Sequence, residues 1–174
     1  MPKIIENARD QLLCEAKRQI SELGYAKTTV RSVANACGLG VGTVYNYFPS
    51  KELLIATLVA EDWKAYIKTM SDFPKNDAKS LLECIFNSLR GFSESNKKLF
   101  SDADAAKVIS IGFASRHKRL RNQLAGFILP VCEDRELENA RFIAEFCAEA
   151  LIGWAMEDVD FDVVYPALEK VLKN

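Results

Sequence analysis

Residues 40–51 carry hydroxyl and ammonium groups at spacings that suit contact with a nucleic acid. Thr43, Tyr47 and Lys51 can donate hydrogen bonds to phosphate oxygens. Val41 can touch the methyl group of a thymine, and Arg31, a little earlier in the chain, can reach the edge of a guanine. Together these residue types predict a surface that binds DNA.

Two glycines and a second tyrosine belong to the same stretch. Gly40 and Gly42 have no side chains, so the backbone there can come close to a partner. Tyr45 lies two residues before Tyr47, and the only charge close by is that of Lys51. A second interpretation is that the two tyrosines merely cover hydrophobic surface, and the residue types alone leave both interpretations open.

A short helix must precede this surface to position it. Thr28 or Thr29 can cap that helix, because a side-chain hydroxyl satisfies a free backbone N–H of the first turn. Gly38 can end it, since glycine readily adopts the left-handed conformation found after helices. Between these signals, apolar residues recur at spacings of three and four, which indicates one buried helical face: Val30, Val33, Ala34 and Cys37.

A second short helix follows the tight turn at residues 38–40. Val44 and Phe48 lie four residues apart and, with Leu39, can pack back on the first helix, which leaves an opposite, exposed side made of Val41, Gly42, Tyr45 and Asn46. Pro49 disfavours helical backbone at Phe48, and Ser50 can cap a third helix. Two short helices joined by such a turn are the parts of a DNA-binding helix-turn-helix.

The run TTVRSVANACGLGVGTVYNYFPSKELL resembles the signature of the TetR/AcrR family of transcriptional regulators. The resemblance extends over residues 4–60. It implies an all-α homodimer whose N-terminal helix-turn-helix domains enter successive major grooves of double-stranded DNA. It also implies a helical C-terminal domain that binds a small-molecule effector, mediates dimerisation and usually releases DNA when occupied.

The same resemblance assigns candidate DNA-binding residues. Positions that commonly face bases in the family are Gly40, Val41, Gly42 and Tyr45, with Arg31 at a position that sometimes reads a base. Positions that commonly hold phosphate are Thr43, Tyr47 and Lys51, and Thr29 lies where the first helix of the motif approaches the DNA backbone. Since residues 40–42 supply almost no hydrogen-bonding side chains, we expect specificity to depend on Arg31, Tyr45, backbone contacts and DNA shape.

Charge and composition fit this interpretation. The 174 residues carry a net charge of −1, but residues 1–51 hold seven Lys/Arg and four Asp/Glu, while the remainder holds 16 and 20. A basic N-terminal part and an acidic remainder are therefore expected. No apolar run approaches the roughly 20 residues of a membrane helix, and the first ten residues do not form a secretory leader, so we expect a cytoplasmic protein.

Residues for catalysis or metal binding are scarce. The five cysteines are widely spaced, His117 is the single histidine, and no Gly-rich phosphate loop or nucleophile motif occurs. We therefore expect no catalytic residues, no metal, no cofactor and no disulfide framework. The cysteines are interpreted as buried free thiols, with redox sensing as the alternative.

Periodicity predicts an all-α chain with a DNA-binding domain at residues 1–50 and an effector-binding and dimerisation domain at residues 51–174. The first helix is predicted over residues 4–23, and a long helix after the helix-turn-helix over residues 51–70. Gly91, Gly112 and Pro130 are expected to separate the later helices, which are predicted over residues 77–91, 94–110, 113–129, 134–158 and 162–173.

The last two predicted helices, at residues 134–158 and 162–173, are the candidate dimer interface, with ordinary monomer core as the alternative. Seven bulky residues are candidates to line an effector pocket, although such residues more often belong to an ordinary core: Trp63, Tyr66, Phe86, Phe100, Phe113, Phe127 and Trp154.

The leading hypothesis is a dimeric, sequence-specific transcriptional regulator, a repressor released by its ligand. The alternatives are a transcriptional activator, or a helical sensor or interaction protein without DNA binding.

Overall fold

All regular secondary structure in the described part of the chain is α-helical. The computed structural model describes residues 7–74, 77–110 and 113–173, with side chains for all of these except residues 108–110 and 113–115. The helical structure of these residues confirms the predicted all-α fold. The helices, in chain order, are α1 Ala8–Leu23, α2 Val30–Ala36, α3 Val41–Tyr47, α4 Lys51–Asp72, α5 Ala78–Ser95, α6 Lys97–Phe100, α7 Ala103–Ser110, α8 Phe113–Asp134, α9 Ala140–Ala155 and α10 Phe161–Val171.

The chain forms two compact units, and each contains two separate segments. The first unit consists of Met1–Trp63 and Asn96–Ile111, and the second of Lys64–Ser95 and Gly112–Asn174. Helix α4 thus has residues in both units. The predicted boundary after residue 50 falls where α4 begins, whereas the first unit extends along α4 and also includes α6 and α7.

A single hydrophobic core explains the extent of the first unit. Helices α1, α2 and α3 contribute buried side chains to it, and Leu54, Ile55 and Leu58 of α4 belong to the same cluster. Leu99 of α6 and Ala105 of α7 complete that cluster and are almost fully buried. The helix-turn-helix therefore depends for its packing on residues about 60 positions further along the chain.

The second unit is built around α5, which contacts α8, α9 and α10. Its apolar face is buried at Leu81, Leu82, Ile85, Phe86 and Leu89, at the spacing of three and four that an amphipathic helix requires. The ring of Phe86 lies 5.6 Å, centre to centre, from that of Phe161 at the beginning of α10.

Three predicted helix boundaries in the second half of the chain are wrong. Gly91 does not end α5, which continues to Ser95; a Cβ atom at Gly91 would lie 3.1 Å from the Tyr66 ring, so this glycine serves close packing. Pro130 lies inside α8, which continues to Asp134. The helix predicted over residues 134–158 begins only at Ala140.

The helix predicted over residues 94–110 is also interrupted. Its two halves, α6 and α7, are separated at Ser101 and Asp102. The carboxylate of Asp102 accepts hydrogen bonds from the backbone N–H groups of Asp104 and Ala105, both at 3.0 Å. Asp102 thus caps a new helix, a role for which aspartate is well suited.

The prediction of buried thiols is correct for Cys132 and Cys147 and wrong for Cys14, which is exposed on α1. All five cysteines are free. Burial raises the pKa of the Cys147 thiol to about 12, so this side chain behaves as a small apolar group.

Candidate nucleic-acid interface

The first helix of the motif begins at a complete capping box. Thr29 Oγ1 accepts a hydrogen bond from the backbone N–H of Ser32, and the backbone N–H of Thr29 donates to Ser32 Oγ, both at 2.9 Å. Thr28, the other predicted cap, is buried and donates through Oγ1 to the carbonyl of Gly24 instead. Thr29 is therefore the cap, and its side chain faces solvent.

The turn between the two helices has the predicted glycine conformation. Gly38 has φ +66°, in the left-handed region, and the backbone N–H of Leu39 donates to the carbonyl of Ala34 at 2.9 Å. The Gly40 carbonyl then accepts the first hydrogen bonds of α3, from the N–H groups of Thr43 and Val44. The direction in which α3 leaves α2 is thus fixed by backbone hydrogen bonds on both sides of the turn.

Helix α3 has a buried side and an exposed side. Val44 is fully buried, and Phe48, just after the helix, is 2% exposed. On the opposite side Tyr45 is 49% exposed, and Gly42 and Asn46 are also exposed. The buried and exposed sides follow the prediction at these five positions.

Three candidate contact residues of α3 are partly buried. Val41 and Tyr47 are partly buried and pack against the core of the first unit. The expectation that Val41 lies wholly on the exposed side is therefore wrong, because its side chain helps to cover the core. Thr43 is also partly buried.

Lys51 has an intramolecular partner. Its Nζ lies 2.6 Å from the carbonyl oxygen of Tyr25 and 3.7 Å from the centre of the Tyr25 ring. Burial lowers the pKa of the Lys51 ammonium group. Because an ammonium group has three N–H donors, the bond to Tyr25 leaves two for a phosphate, and the role of Lys51 in DNA binding stays a prediction.

All nine candidate DNA-binding residues belong to the first unit. The exposed ones are Thr29, Arg31, Gly40, Gly42 and Tyr45, and the partly buried ones are Val41, Thr43, Tyr47 and Lys51. Helices α2 and α3 thus present hydroxyl, guanidinium and backbone groups to solvent, the groups by which proteins hold phosphates and read base edges.

Sequence reasoning missed one polar residue of this unit. Gln19 of α1 is 4% exposed and its Oε1 accepts a hydrogen bond from Ser32 Oγ at 2.6 Å. The signal was present in the sequence, since Gln19 falls three residues after Ala16 on the apolar face of α1, where a polar side chain needs a partner.

The seven candidate pocket residues are divided between the units. Trp63 and Phe100 belong to the first and are partly buried, whereas Tyr66, Phe86, Phe127 and Trp154 belong to the second. The side chain of Phe113 lies outside the described residues. Phe86 is fully buried against Phe161, and the Tyr66 hydroxyl lies 3.1 Å from Ser95 Oγ. The effector pocket stays a prediction.

Trp154 lines an apolar surface groove between α9 and α10. The exposed fractions are 49% for Phe146, 45% for Trp154 and 70% for Val163, high values for such apolar side chains. The residues that line the groove are Phe146, Ala150, Trp154, Val159, Val163, Val164, Ala167, Leu168 and Val171.

Two neighbouring apolar stripes on α9 have different environments. Ala144, Cys147, Leu151 and Ala155 form a buried stripe, which packs in the core of the second unit. The neighbouring stripe, with Phe146 and Trp154, faces the groove. A wide apolar face that remains exposed is typical of a surface covered by a protein partner.

Within the described residues, no three His, Cys, Asp or Glu side chains are grouped so that they could hold a metal ion. None of the helices described there combines the length and the apolar character that a membrane span requires.

Comparison with known proteins gives matches of two kinds. Residues 12–58 match the family model described as bacterial regulatory proteins, tetR family. They include most of α1, all of α2 and α3, and the beginning of α4. The HTH-type transcriptional repressor Rv1474c of Mycobacterium tuberculosis (strain ATCC 25618 / H37Rv) is 38% identical over 66 residues, which are 36% of this chain and 35% of that protein. The match thus spans about a third of the relative's length.

Two other matches extend over most of the chain. The fatty acid metabolism regulator protein of Bacillus subtilis (strain 168) is 24% identical over 172 residues, covering 88% of this chain and 87% of that protein. A crystal structure of FadR from Bacillus subtilis in complex with stearoyl-CoA superimposes with a TM-score of 0.58 at 21% identity, over 94% of this chain and 97% of that one. At this identity the likeness shows the fold.

Proposed function

We propose that this chain, which belongs to the TetR family of bacterial regulatory proteins, binds a double-stranded DNA operator in a sequence-specific manner and regulates transcription. The observation that carries the proposal is the exposed side of α3. Tyr45, Gly42 and Asn46 face solvent there, while Val44 and Phe48 fix the helix to the core from behind. Such a surface can enter a major groove without repacking the domain.

Direct readout by this surface would use few side chains. Among the candidates for contact with bases, Arg31 and Tyr45 are exposed and carry hydrogen-bonding side chains, and Gly40 and Gly42 allow close approach of the backbone. Thr29, Thr43, Tyr47 and Lys51 would hold phosphates on either side, and Val41 would offer an apolar contact from its partly buried position. We expect the shape of the operator to supply part of the specificity.

The proposal includes a homodimer formed through α9 and α10. The apolar groove of Phe146, Trp154 and Val163 supports it, because a second copy of the chain would remove these side chains from water. Two copies related by a twofold axis would place two helix-turn-helix motifs on the half-sites of a palindromic operator.

A small-molecule effector is the remaining partner. We propose that it binds in the second unit and favours a conformation of the dimer in which the two α3 helices no longer match the half-sites, so that DNA is released. The chain would then act as a ligand-released repressor in the cytoplasm, with no catalytic role. Since the Bacillus subtilis FadR structure is a complex with stearoyl-CoA, long-chain acyl-CoA thioesters are the first compounds to test.

The experiment is fluorescence anisotropy with duplexes that flank the chain's own gene, at two salt concentrations, with a scrambled duplex as control. Tight binding that prefers the native duplex and weakens with salt is the expected result. Weak and equal binding to both duplexes would contradict the proposal and favour a sensor or interaction protein without DNA binding. Transcription from the bound promoter, with and without the protein, separates a repressor from an activator.

A further inference from the structure

Gln19 is a buried amide in the middle of α1. Its side chain is 4% exposed, and both ends of the amide are hydrogen-bonded. Oε1 accepts from Ser32 Oγ at 2.6 Å, and Nε2 donates to Glu15 Oε1 at 2.7 Å. A buried amide without such partners would be costly, so these two bonds hold the side chain in one orientation.

The glutamate fixes which end of the amide faces which partner. Glu15 accepts from Arg18 through Nη2 at 2.7 Å and through Nε at 2.9 Å. The hydrogen bonds from Arg18 and from Gln19 lower the pKa of the Glu15 carboxyl to about 2, so it is a carboxylate under ordinary conditions. Because a carboxylate can only accept hydrogen bonds, Glu15 must face the NH₂ group of the Gln19 amide. The amide oxygen, Oε1, therefore faces Ser32.

Ser32 connects this amide to the cap of α2. Its hydroxyl carries one proton; donation of that proton to Gln19 directs a lone pair toward the backbone N–H of Thr29, 2.9 Å away. Thr29 Oγ1 in turn accepts from the backbone N–H of Ser32. The Thr29 hydroxyl acts as an acceptor in the capping box, so its own proton remains available for donation to another group. The Thr29 side chain is exposed, and the capping box sets its rotamer.

We propose that Gln19 is a positioning residue for DNA binding: through Ser32 it holds the Thr29 side chain in the rotamer whose hydroxyl proton is available to a phosphate. The inference rests on the proposed function, because it requires that Thr29 contacts DNA. Gln19 itself is buried within the first unit and acts only through the capping box.

The first test is a double-mutant cycle on DNA affinity, measured by anisotropy with the preferred duplex. Gln19→Leu keeps the approximate size of the side chain and removes both hydrogen bonds, and Ser32 can then donate to the Thr29 carbonyl oxygen, 2.9 Å away. We expect Gln19→Leu to weaken binding about three- to tenfold, and Thr29→Val to weaken it at least as much. In the Thr29→Val background, Gln19→Leu should have almost no further effect.

Thermal unfolding of the same four proteins separates positioning from stability. If Gln19 were only a structural residue, Gln19→Leu would lower the unfolding temperature. It would also weaken DNA binding by the same factor in the wild-type protein and in Thr29→Val. Additive effects on affinity would therefore overturn the proposal.

A second test exchanges the side chains of Glu15 and Gln19, so that the conclusion does not depend on a variant with a folding defect. Gln19→Glu alone places two carboxylates side by side and should weaken binding. Adding Glu15→Gln restores the donor at position 15 and the acceptor at position 19, so affinity should return to within about twofold of the original value. If the unfolding temperature recovers while the affinity stays low, the proposal is overturned.

The two proposals fail in different ways. An unmodified protein that binds no duplex in preference to the scrambled one contradicts the proposed function and this inference together. An unmodified protein that prefers its duplex, combined with additive effects in the cycle, contradicts the role of Gln19 alone.

Discussion

The ammonium group of Lys51 lies 2.6 Å from the carbonyl oxygen of Tyr25 and 3.7 Å from the centre of the same residue's ring. The first residue of α4 is thereby connected to the segment that follows α1. The Tyr25 carbonyl also accepts from the backbone N–H of Thr28 at 3.2 Å, so it keeps a partner when the lysine is removed. Loss of the lysine is thus expected to affect DNA binding more than folding.

Replacing Lys51 by methionine tests whether its two remaining N–H donors reach a phosphate. We expect weaker binding. We also expect the slope of log K against the logarithm of the salt concentration to become shallower by about 0.9 for each helix-turn-helix, the value for one lost phosphate contact. Stability should fall by no more than about 1 kcal/mol, the usual net value of one hydrogen bond.

Lys68→Met, on the same helix in the second unit, is the control and should leave the salt dependence unchanged. A variant at position 51 with normal salt dependence and reduced stability would show that Lys51 is a structural residue only.

The two glycines of the motif should respond to alanine in opposite ways. Gly42 lies in α3 with no other group within 4 Å of an added Cβ, so Gly42→Ala should raise the free energy of unfolding, by up to about 1 kcal/mol. If its backbone approaches DNA, the same change should weaken operator binding. A more stable protein with lower affinity in anisotropy is the expected combination, and unchanged affinity would remove Gly42 from the interface.

Gly38→Ala is the matched comparison. The space around Gly38 is also open, but its φ of +66° is unfavourable for alanine. We expect a loss of about 1–2 kcal/mol in urea unfolding, and Gly38→Asn should recover part of it, since asparagine tolerates this conformation. Equal stability of the alanine variants at positions 38 and 42 would be inconsistent with the turn as described.

The ion pair of Glu15 predicts a pH dependence of stability. The pKa of Glu15 falls from its ordinary 4.5 to about 2 in the folded chain because of hydrogen bonds from Arg18 and Gln19. The folded value lies below the unfolded one, so the group stabilises the fold above pH 4.5 and loses this contribution as the pH falls toward 2.

The measurement is urea unfolding of the wild-type protein and Glu15→Gln at several pH values. The variant should be less stable at pH 7, and the difference should shrink below pH 4.5. Glu22→Gln is the control, because Glu22 also pairs with Arg18 but has a 54% exposed side chain, and exposed pairs contribute little. A difference for Glu15→Gln that is independent of pH would contradict the assignment.

The groove between α9 and α10 predicts which substitution would separate the proposed dimer. Phe146→Glu places a charge among the apolar side chains of the groove and should raise the dimer dissociation constant at least about tenfold, as measured by sedimentation equilibrium. Leu23→Glu, at an equally exposed leucine of α1, should leave it unchanged. A wild-type protein that sediments as a monomer at micromolar concentration would contradict the proposed interface.

Local chemistry was sufficient to predict the helix-turn-helix. The cap at Thr29, the left-handed Gly38 and the buried Val44 depend on residues within one or two turns of each other, so their pattern is visible in the sequence. The same holds for Ser50, whose Oγ accepts from the backbone N–H of Leu53 at 3.2 Å.

Features that depend on distant contacts were not predictable in this way. Gly91 looks like a helix end, yet it lies against Tyr66, 25 residues earlier. The residues proposed for a pocket are all aromatic, but nothing in the sequence indicates which of them face each other. Lys51 reaches Tyr25 across the whole motif, and no local pattern indicates that its ammonium group has an internal partner.

The presence of α6 and α7 in the first unit has a consequence for biosynthesis and for evolution. Leu99 and Ala105 belong to the core around the helix-turn-helix, so a nascent chain cannot complete that core until the segment Asn96–Ile111 has left the ribosome. Until then, the apolar surface of α1 to α4 that Leu99 and Ala105 cover stays exposed to solvent. Recombination that joined only the first 63 residues to another regulator would leave the same gap, so the heritable module for DNA binding is a discontinuous one.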